Sequence, residues 1–369
     1  MNRKVPFFEY PRHYLDDREV LIKIFDEVGK KGAFIMQKEL ADFEQNLKNF
    51  SKANYCVGVA NATDGLELAW LAQDLRRGDE IICCSHTMIA TASAIKTAGA
   101  EPIPVELGYD NLIDPDAIEA AITERTVGIM PTHLNGRICN MDRIMKIAKK
   151  YDLIVIEDAA QSLGAKYKGK HAGTFGNGGA FSFYPAKVLG SLGDGGAFIT
   201  NDQNTFEGVY ELHDHGRSID GEVKRWGRNS RLDNLQAAIL DFKLKKYDDV
   251  VARRREIASI YHSRLSSFKQ LLLPPAPSED SDNFDVYQNY EIQVEKRDAL
   301  KEFLHKNGIG TLVQWDGKGI HQWKYLGFKS ILPKIENFFN NCIMLPMNTF
   351  ITNDDVEYVT EKISEFYKS

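Results

Sequence analysis

GGAFSFYPAKVLGSLGDGGAFITN, residues 178–201, is the stretch on which the reading of this chain turns. Two short apolar runs, 180–184 and 196–200, are each long enough for a buried strand, and a turn-prone, glycine-rich segment carrying Lys187 lies between them. A lysine held between buried elements loses water and part of its proton affinity. Its amine then becomes a nucleophile able to form a Schiff base with a carbonyl. Within this window alone, the alternative is an ordinary lysine whose stem crosses apolar surface while its charge stays in water.

Working outward, strand-like runs at 55–61, 80–84, 103–105, 127–130 and 153–157 alternate with helical patterns at 63–76, 88–98, 115–122 and 141–150. Such alternation predicts a largely parallel sheet covered on both faces, with ligands beyond the carboxyl ends of the strands. Those ends carry Asn61, His86, His133 and Asp158. Ahead of them, residues 1–36 form a mixed arm containing GKKGAFI (29–35), and a helix is expected over 37–50. Beyond the opening stretch, the polar segment 213–231 holds Lys224, Arg225, Arg228 and Arg231, which form either a solvated face or a set that neutralises phosphates at a pocket or subunit boundary. A long helical pattern over 232–265 leads to Pro274, Pro275 and Pro277. The remainder, with runs at 289–294 and 311–315 and helices at 296–306 and 354–367, suits a smaller α+β unit. The expected division is 1–250 and 251–369.

With 369 residues, 43% of them hydrophobic, the chain has material for one large core and a smaller second one. A net charge of -6 gives no global attraction to nucleic acid or to an anionic membrane, although a local basic patch suits a phosphorylated ligand. The five cysteines form no CxxC pair and no zinc-like spacing, so no metal site is expected and a reducing compartment is implied. The charged N-terminus and the lack of a long apolar run support neither a signal peptide nor a membrane span, which makes the cytoplasm the default.

Asp158 follows a nearly all-apolar strand, so its carboxylate needs solvation by a loop, a metal or a cation. Opposite a pyridine ring it would keep the ring nitrogen protonated. Capping a helix or binding magnesium are the alternatives. NATDGLELA (61–69) passes from strand to helix, where Ala62, Thr63 and neighbouring amides suit a phosphate; Thr63 or Asp64 as a simple cap is the other reading. No GxxxxGK[ST], GxGxxG or GxSxG motif occurs at a fitting place, which removes most of the case for a P-loop enzyme, a nicotinamide dehydrogenase or a serine hydrolase.

SFYPAK (182–187) with GDGGA (193–197) resembles the cofactor-lysine segment of the DegT/DnrJ/EryC1/StrS family of pyridoxal 5'-phosphate-dependent nucleotide-sugar aminotransferases. GAFIMQKELADFE (32–44), NATDGLELA, HTMIATASAI (86–95), DLIVIEDAAQSLGA (152–165), NSRLDNLQAAIL (229–240) and LPMN (345–348) agree in order, so the resemblance spans essentially the whole chain. It implies an aspartate aminotransferase-like α/β fold of type I, with a large, mostly parallel-sheet domain and a smaller C-terminal α+β domain. Lys187 would form the covalent link to the cofactor and Asp158 would pair with the pyridine nitrogen. Gln161 would lie near the cofactor hydroxyl, while Thr63, the Ala62 amide and Ser182 would hold its phosphate. Asn229 would reach that phosphate from a second subunit, making a homodimer with shared sites. Met88 stands where the family places an aromatic ring over the pyridine, which implies a looser clamp. Asn135, in HLNG, stands where HLYG is common, so whatever the tyrosine touches, substrate included, must be contacted differently.

The activity implied is transfer of an amino group from L-glutamate to a nucleotide-linked keto-sugar, with pyridoxamine 5'-phosphate as intermediate. Freed Lys187 would move the proton between the donor Cα and the cofactor in both half-reactions. SFYP resembles members that aminate C3 of dTDP-3-keto-6-deoxyhexoses; a 4-keto substrate or a UDP-linked 3-keto sugar is the alternative. Tyr184, His321, Phe34, His86 and Arg225 are the candidate substrate contacts, Arg225 through the pyrophosphate. A dehydratase is disfavoured by Lys187 itself. A non-catalytic regulatory protein that binds the cofactor is the distant alternative.

Overall fold

The computed structural model describes residues 3–278 and 281–368. Its first helices are α1 (Tyr10–Lys31), α2 (Lys38–Ser51), α3 (Ala62–Leu71), α4 (Ile89–Thr97), α5 (Pro115–Ala120), α6 (Met141–Tyr151) and α7 (Gln203–His213). They alternate with strands β1 (Tyr55–Val59), β2 (Glu80–Cys84), β3 (Glu101–Val105), β4 (Thr126–Met130) and β5 (Ile154–Asp158). The short β6 (Lys166–Tyr167) and β7 (Lys170–His171) precede β8 (Gly178–Ser182) and β9 (Gly196–Thr200). Seven of these strands form one sheet in the order β1-β9-β8-β5-β4-β2-β3. Among the described residues only β9 runs against the others of that sheet, because the chain returns after β8 through residues 183–195 instead of crossing over by a helix.

Both faces of the sheet are covered. Along β5 Val155 enters the core shared with Leu40, Phe43 and Phe181, while Ile156 enters the opposite core with Leu66, Trp70 and Phe198. This period of two sends Asp158 to the face opposite Glu157. The smaller unit pairs β10 (Leu271–Leu272), β12 (Tyr290–Val294) and β13 (Cys342–Leu345) antiparallel, while the short β11 (Asn283–Phe284) joins β6. α8 (Asn234–Leu244) packs on α1 and α2 over the large core, whereas α9 (Tyr247–Leu265), α10 (Arg297–Lys306), α11 (Pro333–Asn341) and α12 (Asn353–Lys368) lie around the smaller sheet.

Several sequence expectations are displaced. The helical pattern over 232–265 is two helices, α8 and α9, broken at Lys245 and Lys246. Residue 250 is therefore inside a helix: α9 sends Tyr247 and Val251 into the large core and Ile257, Tyr261 and Leu265 into the small one. The mixed N-terminal arm is chiefly α1, closed by Gly32 at φ 64, a left-handed stop that glycine adopts without steric cost. Val5 joins the small core through its bridge to Ile309, so the two units share chain at both ends. The run 311–315 contributes an isolated bridge from Leu312 to Met344 and then a short helical turn, not a strand. Strand β8 ends at Ser182, which leaves Tyr184 in the loop. No described helix is long and apolar enough to cross a membrane.

Candidate active site

Lys187 lies in the 183–195 return between β8 and β9, and Asp158 ends β5, the parallel neighbour of β8. The loop is tied down around the lysine. Lys187 N donates to Tyr184 O at 2.8 Å, and Ser191 donates to Phe183 O through both its amide and its hydroxyl. The buried Gln288, just ahead of β12, bonds both residues flanking Lys187: its Nε2 donates to Ala186 O and its Oε1 accepts from Val188 N, each at 2.9 Å. No spacing rule joins Gln288 to a lysine in another unit, so the sequence offered no signal for it.

The Lys187 residue is only partly covered, yet its ammonium end is desolvated, and this pulls the pKa down to about 8; the nearby Asp158 carboxylate acts in the opposite direction. The unfolded chain keeps that proton up to the ordinary value of 10.5, so the folded state carries an electrostatic cost below about pH 8 that fades as pH rises toward 10.5. Capture of an added aldehyde by the unliganded protein is therefore expected to accelerate as pH climbs through about 8 and to level off above it. Rapid-mixing absorbance measures this, and a midpoint near 10.5 would show an ordinary lysine.

Asp158 is 5% exposed. Its Oδ2 accepts from Thr91 Oγ1 at 2.6 Å and its Oδ1 from Ala160 N at 3.2 Å. Each oxygen thus retains acceptor capacity for a donor in front of the strand end. At the start of α3, Asn61 Oδ1 caps Asp64 N at 2.9 Å, so neither Thr63 nor Asp64 serves as the cap. The Ala62 and Thr63 amides open this ten-residue helix and take no hydrogen bond among the described residues, which suits an anion. Gly196 lets β9 approach this turn: a Cβ there would stand 2.5 Å from the Asn61 carbonyl carbon and 2.7 Å from Ala62 N. Met88 is the N-cap of α4 and is half-exposed. Ser182 ends β8, where its Oγ accepts from Tyr184 N at 3.3 Å.

Gln161 Oε1 accepts from Asn135 N at 2.9 Å and from Asn289 Nδ2 at 3.3 Å. Asn135 is spent on the same network. Its Nδ2 donates to Glu291 Oε2 at 2.7 Å, and its Oδ1 accepts from Asn289 and Gln314. Asn135 therefore joins Gln161 to the smaller unit instead of presenting a free amide to substrate. His86 is buried as well, with Nδ1 against Asn111 O at 2.8 Å and Nε2 3.4 Å from Glu291. His321 pairs with Ser85 Oγ at 2.6 Å and Glu336 at 3.3 Å. Arg225 is paired with Glu211, Arg228 with Glu67 and Arg231 with Asp214, so this basic set is locally neutralised in the single chain. Asn229 and Phe34 are exposed, as is Tyr184. A cavity of about 500 Å³ lies against the lysine loop, lined by Tyr184, Lys187, Tyr10, His13, Arg254 and Asn348 among others. Asp158 and Thr63 are not on its walls, so it reaches the Lys187 side of the pair and not the Asp158 side.

A desolvated amine near enough to feel a buried carboxylate at a strand end, in a fold that also offers a helix start with open amides, is the equipment for carbonyl chemistry on a phosphorylated, nitrogen-bearing ring. The family model "DegT/DnrJ/EryC1/StrS aminotransferase family" matches residues 16–364. The chain is 38% identical to the dTDP-3-amino-3,6-dideoxy-alpha-D-galactopyranose transaminase of Aneurinibacillus thermoaerophilus, covering 98% of this chain and 99% of the relative. It is 37% identical to a pleiotropic regulatory protein of Geobacillus stearothermophilus, covering 99% of each. The crystal structure of S. venezuelae DesV superposes with a TM-score of 0.94 at 33% identity over 99% of both chains. With the motif order, the fold and these relatives in agreement, the chain belongs to the DegT/DnrJ/EryC1/StrS aminotransferase family.

Proposed function

We propose that this aminotransferase moves the amino group of L-glutamate to C3 of a nucleotide-linked 3-keto-6-deoxyhexose, with dTDP as the favoured nucleotide. The cofactor is pyridoxal 5'-phosphate, alternating with its pyridoxamine form, and when bound it supplies the electron sink for a carbanion at the donor carbon. The observation that carries the reading is Lys187, an amine brought down to about pKa 8 on a loop pinned from both sides, with Asp158 as its counter-charge. In this reading Lys187 would hold the cofactor aldehyde, and its neutral amine, when free, would take and return the proton. Asp158 would face the ring nitrogen, Gln161 the ring hydroxyl, and the Ala62 amide, Thr63 and Ser182 the phosphate. Met88 would cover the ring face.

Asn229 is assigned to the phosphate of a second copy, so two chains complete two sites. In support, Met88, Tyr184, Leu192 and Phe34 leave large apolar side chains exposed on the segments that carry the site, more than an isolated surface favours. The C3 and dTDP assignment is supported by the transaminase relative from A. thermoaerophilus. The experiment is amination of dTDP- and UDP-linked 3-keto and 4-keto sugars by the purified protein with L-glutamate. Turnover confined to 4-keto sugars would refute the position, turnover of UDP sugars alone would refute the nucleotide, and a cofactor band unmoved by glutamate would leave a regulatory protein.

A further inference from the structure

Three buried threonines stand in file behind Asp158. Thr91, in the first turn of α4, donates to Asp158 Oδ2 at 2.6 Å; Thr87, in the turn after β2, lies 2.7 Å from Thr91 Oγ1; Thr132, just past β4, lies 3.1 Å from Thr87 Oγ1. Thr87 and Thr91 are 1% and 0% exposed and Thr132 is 5% exposed. Each hydroxyl has one proton to give. An ionised Asp158 only accepts, so Thr91 must point its proton at the carboxylate, Thr87 must then donate to Thr91, and Thr132 to Thr87. The chain has one direction, and each link polarises the next. Valine would fill the same three places with almost the same shape and no polar atom to bury, so packing alone gives no reason for threonine.

We propose that Thr132, Thr87 and Thr91 form a one-directional hydroxyl chain that orients the Asp158 carboxylate toward the place the ring nitrogen of pyridoxal phosphate would take. The inference rests on the cofactor assignment above. Of the three, only Thr91 touches the carboxylate; Thr87 and Thr132 act through it from just past β2 and β4, two neighbouring strands of the sheet. Two titratable groups besides the cofactor register Asp158: the Lys187 amine in the return loop, and the buried Cys83 thiol on β2, whose pKa burial raises. Glu157 projects from the other face of β5 into a separate hydrogen-bonded setting with His133. The three threonines touch neither reacting carbon, so they are positioning residues.

The test uses the cofactor-loaded protein with Thr91→Val, Thr91→Ser, Thr132→Val, Asp158→Asn and the double variant Thr91→Val/Asp158→Asn. Three quantities are read: the pH midpoint of the bound cofactor's visible band, the dissociation constant for pyridoxal phosphate added to the unloaded protein, and the rate of the glutamate half-reaction. Thr91→Val is expected to slow the half-reaction about 30-fold with little change in the KM for glutamate, as loss of one hydrogen bond to a charged group predicts. Its band midpoint should move upward, because a less cationic ring withdraws less charge from the Lys187 nitrogen. Thr91→Ser should recover to within about 3-fold, and Thr132→Val, two links away, should lose about 3-fold. In the Asp158→Asn background Thr91→Val should change rate, midpoint and dissociation constant by less than about 2-fold, since its route is already cut. A full Thr91→Val loss in that background, or an unshifted midpoint in Thr91→Val alone, overturns the proposal. If the wild-type protein forms no cofactor band at all, the cofactor assignment fails instead, and the two failures are thus distinguished.

Discussion

Lys187→Ala is expected to lower the rate of both half-reactions by about ten-thousand-fold and to abolish the visible band of covalently held cofactor. Two functions are lost together. In the proposed function the side chain would be the nucleophile that retains the aldehyde, and its freed amine the base that moves the proton. The environment is already tuned for both, since desolvation brings its pKa down to about 8 and keeps a useful neutral fraction near neutral pH. The fold should survive. The loop backbone is held by Gln288, Tyr184 O and Phe183 O through atoms that alanine retains, and removing a partly desolvated ammonium relieves an electrostatic cost. Absorbance of the purified variant, single-turnover kinetics with glutamate and thermal unfolding separate these effects. A variant that keeps the band, or turns over at even a tenth of the wild-type rate, would remove Lys187 from the chemistry.

The sequence made Lys187 and Asp158 legible because their signal is local: each ends or follows an apolar run, and strand ends are where α/β sheets keep ligands. Periodicity likewise located α2, α4, α6 and the five leading strands to within a few residues. Other features depend on contacts that no local pattern encodes. The break between α8 and α9 falls in LKKYDD, which has no glycine or proline; α8 packs on the large core, and α9 runs from that core into the small one. Gln288 acts on Lys187 across 101 positions, and Asn135 acts on Glu291 across 156. His86 sat at a strand end, where polar residues meet ligands, and His321 was a candidate by resemblance alone; the fold pairs them with Asn111 O, Glu291, Ser85 and Glu336. A polar residue at a strand end is therefore half a signal. The other half is whether its hydrogen-bonding capacity is already used.

Glu157 shows that second half at its most demanding, and Glu157→Ala is expected to cost about 4 kcal/mol of stability, enough to consume much of a typical folded-state margin. The residue is fully buried. Its Oε1 accepts from Phe175 N at 2.6 Å and Gly176 N at 2.9 Å, and its Oε2 from Gly173 N at 2.7 Å and His133 Nε2 at 2.9 Å. The histidine proton can be placed: Cys139 N donates to His133 Nδ1 at 3.3 Å, so Nδ1 accepts and Nε2 carries the hydrogen that faces Glu157. Alanine would leave three buried backbone N–H groups and an imidazole N–H without the carboxylate that accepts from them. Glutamine keeps one acceptor oxygen but points an amide at the remaining donors, so Glu157→Gln should fall between alanine and wild type. A urea titration measures the series, with the midpoint for alanine lower by about 1 M. Because Asp158 is the next residue and shares the same strand backbone, loosened cofactor binding should accompany the lost stability in proportion. An alanine variant as stable as wild type would mean that the 173–176 turn finds other acceptors, and Glu157 would then have no claim to holding the strand end on which Asp158 depends.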